Sequence, residues 1–234
     1  MYDVEKFNAM MDQLKGGIIV SCQSSVGDAT HSPEMMAVFA QCAQRGGAAG
    51  LRVNSAIDIE TIKKKVDLPV IGIWKRPWKD EFWNIMITPT FDDCKQLAEA
   101  GADIIALEAD GRKRPNNEDV KELVQRIRED LHLPVMADCV EFEDAMRTDA
   151  EIVAPTLSGV GKVEDYQPPF ALIDRMVKES GRPVIAEGHF WEPANVEKAF
   201  AMGVHSIVIG SAITRPWLIT ERFVAASPQG KEKK

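Results

Sequence analysis

The chain has 234 residues, 45% of them hydrophobic, and a formal net charge of -8. An acidic chain has no basic face to release counterions from a phosphate backbone, which excludes nucleic acid as a partner but leaves room for a small phosphate held locally. The four cysteines (Cys22, Cys42, Cys94, Cys139) form no CxxC pair, and a chain this long does not depend on a disulfide framework, so reduced thiols and a cytoplasmic setting are expected.

The opening MYDVEKFNAMMDQLK mixes charges with apolar residues at helical spacing. It predicts a short helix over 1–14 that packs Tyr2, Phe7, Met10, Met11 and Leu14 on the domain, and neither a signal peptide nor a membrane anchor. KGGIIVSCQ (15–23) reads as a first strand, and Ser32-Pro33 opens a helix over 33–45. RGGAAGLRVN (45–54) follows, where glycine ends a helix and an apolar run begins. Ser55 or Asp58 opens a helix over 58–65, and DLPVIGIWK (67–75) supplies the third strand, with proline at its start, where a missing N–H costs little. The stretch KRPWKDEFWNIMITPT (75–90), with Trp78, Phe82 and Trp83, reads as a long loop that serves as a lid, an interface or both.

The same grammar then repeats. Thr90 opens a helix over 91–100 before EAGADIIALEA (99–109), and helix 117–130 precedes HLPVMADCV (132–140). Helix 141–147 precedes TDAEIVAPTLSG (148–159), helix 169–180 precedes GRPVIAEGH (181–189), and helix 193–202 precedes AMGVHSIVIGS (201–211). A helix over 215–226 closes the series, and SPQGKEKK, with Pro228 and Gly230 opposing a helix, reads as a solvated, flexible tail over 227–234.

Eight apolar runs without strict alternation, each followed by a helix, are what a parallel sheet buried on both faces requires. The expected fold is a (β/α)8 TIM barrel in a single domain spanning 1–234. An open doubly wound sheet is the competitor, but no GxGxxG follows the first strand, and polar residues end nearly every strand rather than one crevice.

Barrel strands converge at their C-terminal ends, which gathers Gln23, Arg52, Lys75, Glu108, Asp138, Ser158, Glu187, Gly210 and Ser211 at one mouth. Lys75, after the apolar IGIW and beside Trp74, has the setting of a desolvated general base, against the alternative of a surface lysine. Glu187 ends the seventh strand and reads as its acid–base partner, against an ion pair with Arg52 or Lys75 that holds the mouth. Gly188 and the IGSAITRP turn (Gly210, Ser211, Arg215), with a helix starting near Thr214 or Arg215, suit a phosphate. Gln23 and Arg52 suit sugar hydroxyls, an acetamido carbonyl or phosphate, Asp138 suits a hydroxyl or the positioning of Lys75, and Ser158 is a further substrate contact, although for Gln23, Arg52 and Asp138 a network that stabilises the mouth fits equally well. Asp138, Glu187 and His189 invite a metal, but no HxH, HExxH or Cys/His cluster accompanies them, so neither metal nor other cofactor is expected.

The segments GGIIVSCQ, HSPEMMA, GGAAGLRVNS, LPVIGIWKR, ITPT, AGADIIALEA, RKRP, VMAD, TLSG, PVIAEG and VIGSAITRP together resemble the N-acetylmannosamine-6-phosphate 2-epimerases of bacterial sialic acid catabolism, from about Leu14 to Val224. The resemblance implies a TIM barrel that interconverts N-acetylmannosamine 6-phosphate and N-acetylglucosamine 6-phosphate without a cofactor, often as a homodimer. It implies a catalytic Lys75 and Glu187, substrate contacts from Gln23, Arg52 and Asp138, and a phosphate end at Gly188, Gly210, Ser211 and Arg215.

The chain departs from the family pattern at Glu108 and Asp110, at Pro155 and Val160 around TLSG, and at His189 after the AEG. These positions surround the sugar and phosphate, so they bear on which substrate is preferred more than on the chemistry. Three other readings use the same residues: a related epimerase with a different substrate, a Schiff-base aldolase built on Lys75, and a non-catalytic sugar-phosphate sensor.

Overall fold

The computed structural model describes residues 1–78, 85–158 and 167–231. Eight strands run parallel: β1 (Ile18–Cys22), β2 (Gly50–Asn54), β3 (Val70–Ile73), β4 (Ile104–Glu108), β5 (Val135–Asp138), β6 (Ile152–Ala154), β7 (Ile185–Ala186) and β8 (Ser206–Ile209). β8 pairs back onto β1, with Ile18 opposite Ile207. The ring closes between β6 and β7 through a single bridge, Val153 to Val184, where the Val153 N–H donates to the Pro183 carbonyl at 3.1 Å. This is the expected TIM barrel, with its seam at the two shortest strands.

The helices are α1 (Val4–Leu14), α2 (Pro33–Arg45), α3 (Ala56–Lys63), α4 (Phe91–Glu99), α5 (Val120–Arg126), α6 (Phe142–Arg147), α7 (Phe170–Glu179), α8 (Pro193–Ala201), α9 (Ser211–Thr214), α10 (Pro216–Ala226) and α11 (Pro228–Lys231). Several begin where the sequence marks a cap. Ser32 and Ser55 accept the amide protons of Met35 and Asp58, and Thr90 and Asp93 form a reciprocal capping box.

Alternate strand residues face two cores. Outward residues such as Val20, Leu51, Val53, Ile105, Leu107, Val135 and Ile207 pack with the helices. Inward residues Ile19, Ile71, Ile73, Ile104, Met136, Ile152, Ile185 and Val208 fill the barrel, and Met11 and Leu14 of α1 join them as a plug at the N-terminal end. Gly50 makes room for that plug, since a Cβ there would lie 2.6 Å from Leu14 Cδ2. The apolar filling stops short of the other end, where the inward positions turn polar.

Four expectations need correction. The third strand ends at Ile73, because Lys75 leaves the barrel in a short antiparallel hairpin, Lys75–Pro77 against Ile85–Ile87. The helix expected from 117 starts at Val120, where Asp119 accepts the amide protons of Lys121 and Glu122, and it ends in a π turn over Ile127–Leu131. A helix begins at Ser211, before the expected Thr214 or Arg215. The tail does not reject helix: Pro228 sits in the first turn of α11, where its missing N–H has no intrahelical acceptor to lose. Phe82, Trp83 and Val160 lie outside the described residues.

Candidate active site

The polar layer is built around Arg52. Gly50, Arg52 and Asn54 share the inward face of β2, so the guanidinium stands inside the barrel and is 1% exposed. It forms a bidentate pair with Asp138 on β5, Nη1 to Oδ1 at 2.9 Å and Nη2 to Oδ2 at 2.7 Å. Nη1 also lies 3.3 Å from Glu187 Oε2. Burial opposes a charged Arg52, but Asp138 and Glu187 outweigh it and raise its pKa further.

Glu187 follows the two-residue β7 and keeps a small exposed edge toward the mouth. Burial raises its pKa, and the charge of Asp138 adds to that. Arg52, Lys75 and a hydrogen bond with Thr156 act the other way. Lys75 is half-buried, and its backbone N–H donates to Asn54 Oδ1 at 2.9 Å. Among the described residues its ammonium has no ion-pair partner. Burial, then the positive charge of Arg52, lowers its pKa to about 8. The neighbouring Trp74 packs against the outer core, with the Arg76 guanidinium 3.8 Å from its ring centre.

Lys75 and Glu187 line one cavity of about 540 Å³, shared with Gln23 and Thr156. Gly188, Gly210, Ser211 and Arg215 also line it, as do His189, Phe190 and Trp191. Gly188 and His189 both have positive φ, +106° and +56°, so the loop after β7 turns sharply; the first of these conformations suits glycine. At Gly210 a Cβ would lie 3.2 Å from Ser21 Cβ, which keeps the backbone of the β8 turn close to β1. Gln23 donates from Nε2 to Ser21 Oγ at 2.7 Å.

The cavity therefore gathers Gln23, Lys75, Glu187, Gly188, Gly210, Ser211 and Arg215. Arg52 and Asp138 lie beneath it as its support. Ser158 is not on its wall: the residue that reaches it from the loop after β6 is Thr156, whose Oγ1 lies 2.6 Å from Asp138 Oδ1 and 3.2 Å from Glu187 Oε2. The TLSG segment pointed to this loop, and the alternation along β6 is too short to say which hydroxyl faces in.

Glu108, 0% exposed, closes the layer on the hairpin side. It accepts the Ile87 N–H at 3.1 Å and a hydrogen bond from the Arg112 guanidinium, which also reaches Asp110 at 2.8 Å and the Ile85 carbonyl at 3.0 Å. Buried Arg114 donates to the Thr88 and Pro89 carbonyls, both at 3.1 Å. The RKRP segment thus ties the hairpin that carries Lys75 to the end of β4. Burial, with Asp110 nearby, raises the Glu108 pKa to about 7. Among the described residues no three His, Cys, Asp or Glu side chains are grouped to hold a metal ion.

The family described as "Putative N-acetylmannosamine-6-phosphate epimerase" matches residues 36–229. A Clostridioides difficile protein named "Putative N-acetylmannosamine-6-phosphate 2-epimerase" is 46% identical over 222 residues, 93% of this chain and 98% of its own length. A Listeria innocua protein of the same name is 36% identical over 226 residues, 92% of this chain and 96% of its own. The solved N-acetylmannosamine-6-phosphate 2-epimerase from Clostridium perfringens superposes with a TM-score of 0.86 at 38% identity, over 93% of this chain and 96% of that one.

Proposed function

The chain belongs to the N-acetylmannosamine-6-phosphate epimerase family, and we infer from this that it is an isomerase inverting C2 of an N-acetylated hexosamine 6-phosphate. It interconverts N-acetylmannosamine 6-phosphate and N-acetylglucosamine 6-phosphate. The observation that carries the chemistry is that Lys75 and Glu187 face one cavity with their pKa values pushed toward each other, the lysine down to about 8 and the carboxyl up. Each is thereby brought nearer to exchanging a proton at neutral pH.

The C2 proton is acidic only when C1 is an open-chain carbonyl, so reaction follows ring opening. The neutral Lys75 amine takes the C2 proton, and the electron pair of the broken C–H bond moves to the C1 oxygen as an enolate. Glu187 delivers its proton to the opposite face of C2, leaving Lys75 as ammonium and Glu187 as carboxylate, the state from which the reverse reaction starts. Gln23 contacts the sugar, and Gly188, Gly210, Ser211 and Arg215 hold the 6-phosphate, with glycine backbone approach and a guanidinium as the donors. Arg52 and Asp138 fix the position of Glu187.

The test is proton NMR of each epimer with the protein in D₂O. Interconversion with deuterium entering C2 is expected. Retention of the C2 proton in the product, or covalent trapping of substrate on Lys75 by borohydride, overturns the assignment.

A homodimer in a cytoplasmic setting completes the proposal. It is supported by α10, none of whose residues is buried although it carries Trp217, Leu218, Ile219, Phe223 and Val224. It is also supported by four free thiols, three of them in the core. No described helix is long and apolar enough to cross a membrane.

A further inference from the structure

Thr88 follows the second arm of the hairpin that carries Lys75, and its backbone is strained there. Its φ is +47° although it is β-branched and 0% exposed, a conformation that crowds a branched side chain and persists only where the surroundings over-determine it. Four hydrogen bonds supply that constraint. The hairpin sets Lys75 opposite Ile87 and Arg76 opposite Met86, so the next pair in register is Trp74 opposite Thr88. An antiparallel pair at this register exchanges two backbone hydrogen bonds. One is present, from the Thr88 N–H to the Trp74 carbonyl at 2.7 Å. In place of the second, the Trp74 N–H donates to Thr88 Oγ1 at 3.0 Å. The hydroxyl proton goes to the Ala106 carbonyl on β4 at 2.7 Å, and the Thr88 carbonyl accepts instead from Arg114 Nη1 at 3.1 Å.

We propose that Thr88 is a positioning residue for Lys75: its hydroxyl stands in for a backbone carbonyl, clamps Trp74 to β4 and so fixes the bend from which the Lys75 amine enters the cavity. A hydroxyl suits both neighbours, since it accepts from an N–H and donates to a carbonyl at once. Lys75 is the next residue after the clamp, and its own N–H goes to Asn54 Oδ1 on β2 at 2.9 Å. The bend is thereby tied to the strands on both sides of β3. Thr88 does not line the cavity, so it acts through Lys75 rather than on substrate. This deepens the epimerase reading and rests on it, since it takes Lys75 to be the base at C2. The charged groups facing the Lys75 amine are Arg52 from β2, Asp138 from β5, Glu187 beyond β7 and Arg215 beyond α9. All of them remain when only the hydroxyl is removed.

Thr88→Val keeps the branched shape without the hydroxyl, Thr88→Gly lacks the hydroxyl but takes a positive φ without strain, and Thr88→Ser keeps the hydroxyl. In the valine and glycine variants kcat, taken per folded molecule, is expected to fall by roughly 10–100-fold, the scale of a catalytic group displaced by about 1 Å, with KM changed less than about threefold. The nitrogen-15 titration of the Lys75 amine, assigned by the signal missing in Lys75→Met, moves up from about 8 toward the ordinary value of 10.5 as the amine leaves its place beside Arg52. Serine restores kcat to within about threefold of the parent and returns the titration. If the valine variant does not fold, the glycine variant decides; if neither folds, Thr88 serves the fold and the proposal is overturned. It is also overturned by a folded variant without the hydroxyl that keeps either the parent kcat or the parent Lys75 titration, or by a serine variant that behaves like glycine. Failure of the epimerase reading is distinct: the unmodified protein would then place no deuterium at C2.

Discussion

Arg52 and Asp138 meet inside the barrel as a two-pronged pair, 2.9 and 2.7 Å between their atoms, with both side chains shut away from water. They come from strands on different sides of the barrel and sit directly under the cavity. Removing one partner leaves the other charge buried, so Asp138→Ala is expected to cost about 3–5 kcal/mol of stability. The double change Asp138→Leu with Arg52→Met removes both charges and should recover much of that loss without restoring turnover. Urea denaturation of the single and double variants checks this, and a single variant within about 1 kcal/mol of the parent contradicts it.

Lys75 gives a prediction with opposite signs for stability and activity. Its folded pKa, about 8, lies below the ordinary lysine value of 10.5, so between those pH values the unfolded chain binds more protons and stability rises with pH. At pH 7 the folded protein carries an ammonium in a site that opposes it. Lys75→Met is therefore expected to raise the urea midpoint at pH 7 and remove that contribution to the pH dependence, while turnover falls by roughly 10²–10⁴-fold. A variant that loses both stability and activity counts against a desolvated Lys75.

The barrel was legible because each strand is buried on both faces, so the sequence shows eight apolar runs separated by capped helices. The mouth was legible because a charge at the end of such a run, as at Lys75 or Glu187, has no apolar surface to join. Depth was not legible. Arg52 lies within β2 rather than at its end, and only the pairing of β2 with its neighbours shows that its side chain points inward. Thr156 was overshadowed by Ser158 because a three-residue strand imposes almost no register on the loop after it. The hairpin from Lys75 was hidden for another reason: its second arm is tied down by Glu108, Arg112 and Arg114, residues more than 20 positions away from Ile85–Ile87 or from its flank.

Glu108 should leave its own mark on stability. Its folded pKa, about 7, lies above the ordinary carboxyl value of 4.5, so its stabilising contribution is fully present below 4.5 and is lost as pH rises through 7. Glu108→Gln keeps an acceptor for the Ile87 N–H and cannot titrate. The difference in urea midpoint between the glutamine variant and the parent is expected to grow in favour of glutamine from pH 5 to pH 8. A constant difference across that range rules out a carboxyl that is protonated in the folded protein at mildly acidic pH.

Arg215 lines the cavity, and the proposed function gives it the 6-phosphate. Arg215→Gln should weaken ground-state and transition-state binding alike, raising KM for a 6-phosphosugar by roughly 10–100-fold with kcat nearly unchanged, the scale of a hydrogen bond to a charged group. Any slow reaction with the unphosphorylated sugar should be unaffected. Steady-state kinetics on the two substrates separates this from a general loss of fold, which lowers both.

α10 starts one residue after Arg215, so assembly and substrate binding are coupled if its apolar side is covered by a second copy of the chain. Phe223 is 75% exposed and Val224 46% exposed, while Trp217, Leu218 and Ile219 are only half-buried. A monomer would leave this run in water next to the loop proposed to hold the phosphate. Phe223→Glu places a charge in the centre of the proposed contact and should convert the protein to a monomer in sedimentation velocity at micromolar concentration. Because the helix is then held only by its own chain, KM for the phosphorylated sugar should rise along with dissociation, and raising the protein concentration should reverse both. If the parent protein itself sediments as a monomer at that concentration, the pairing of copies through α10 is wrong.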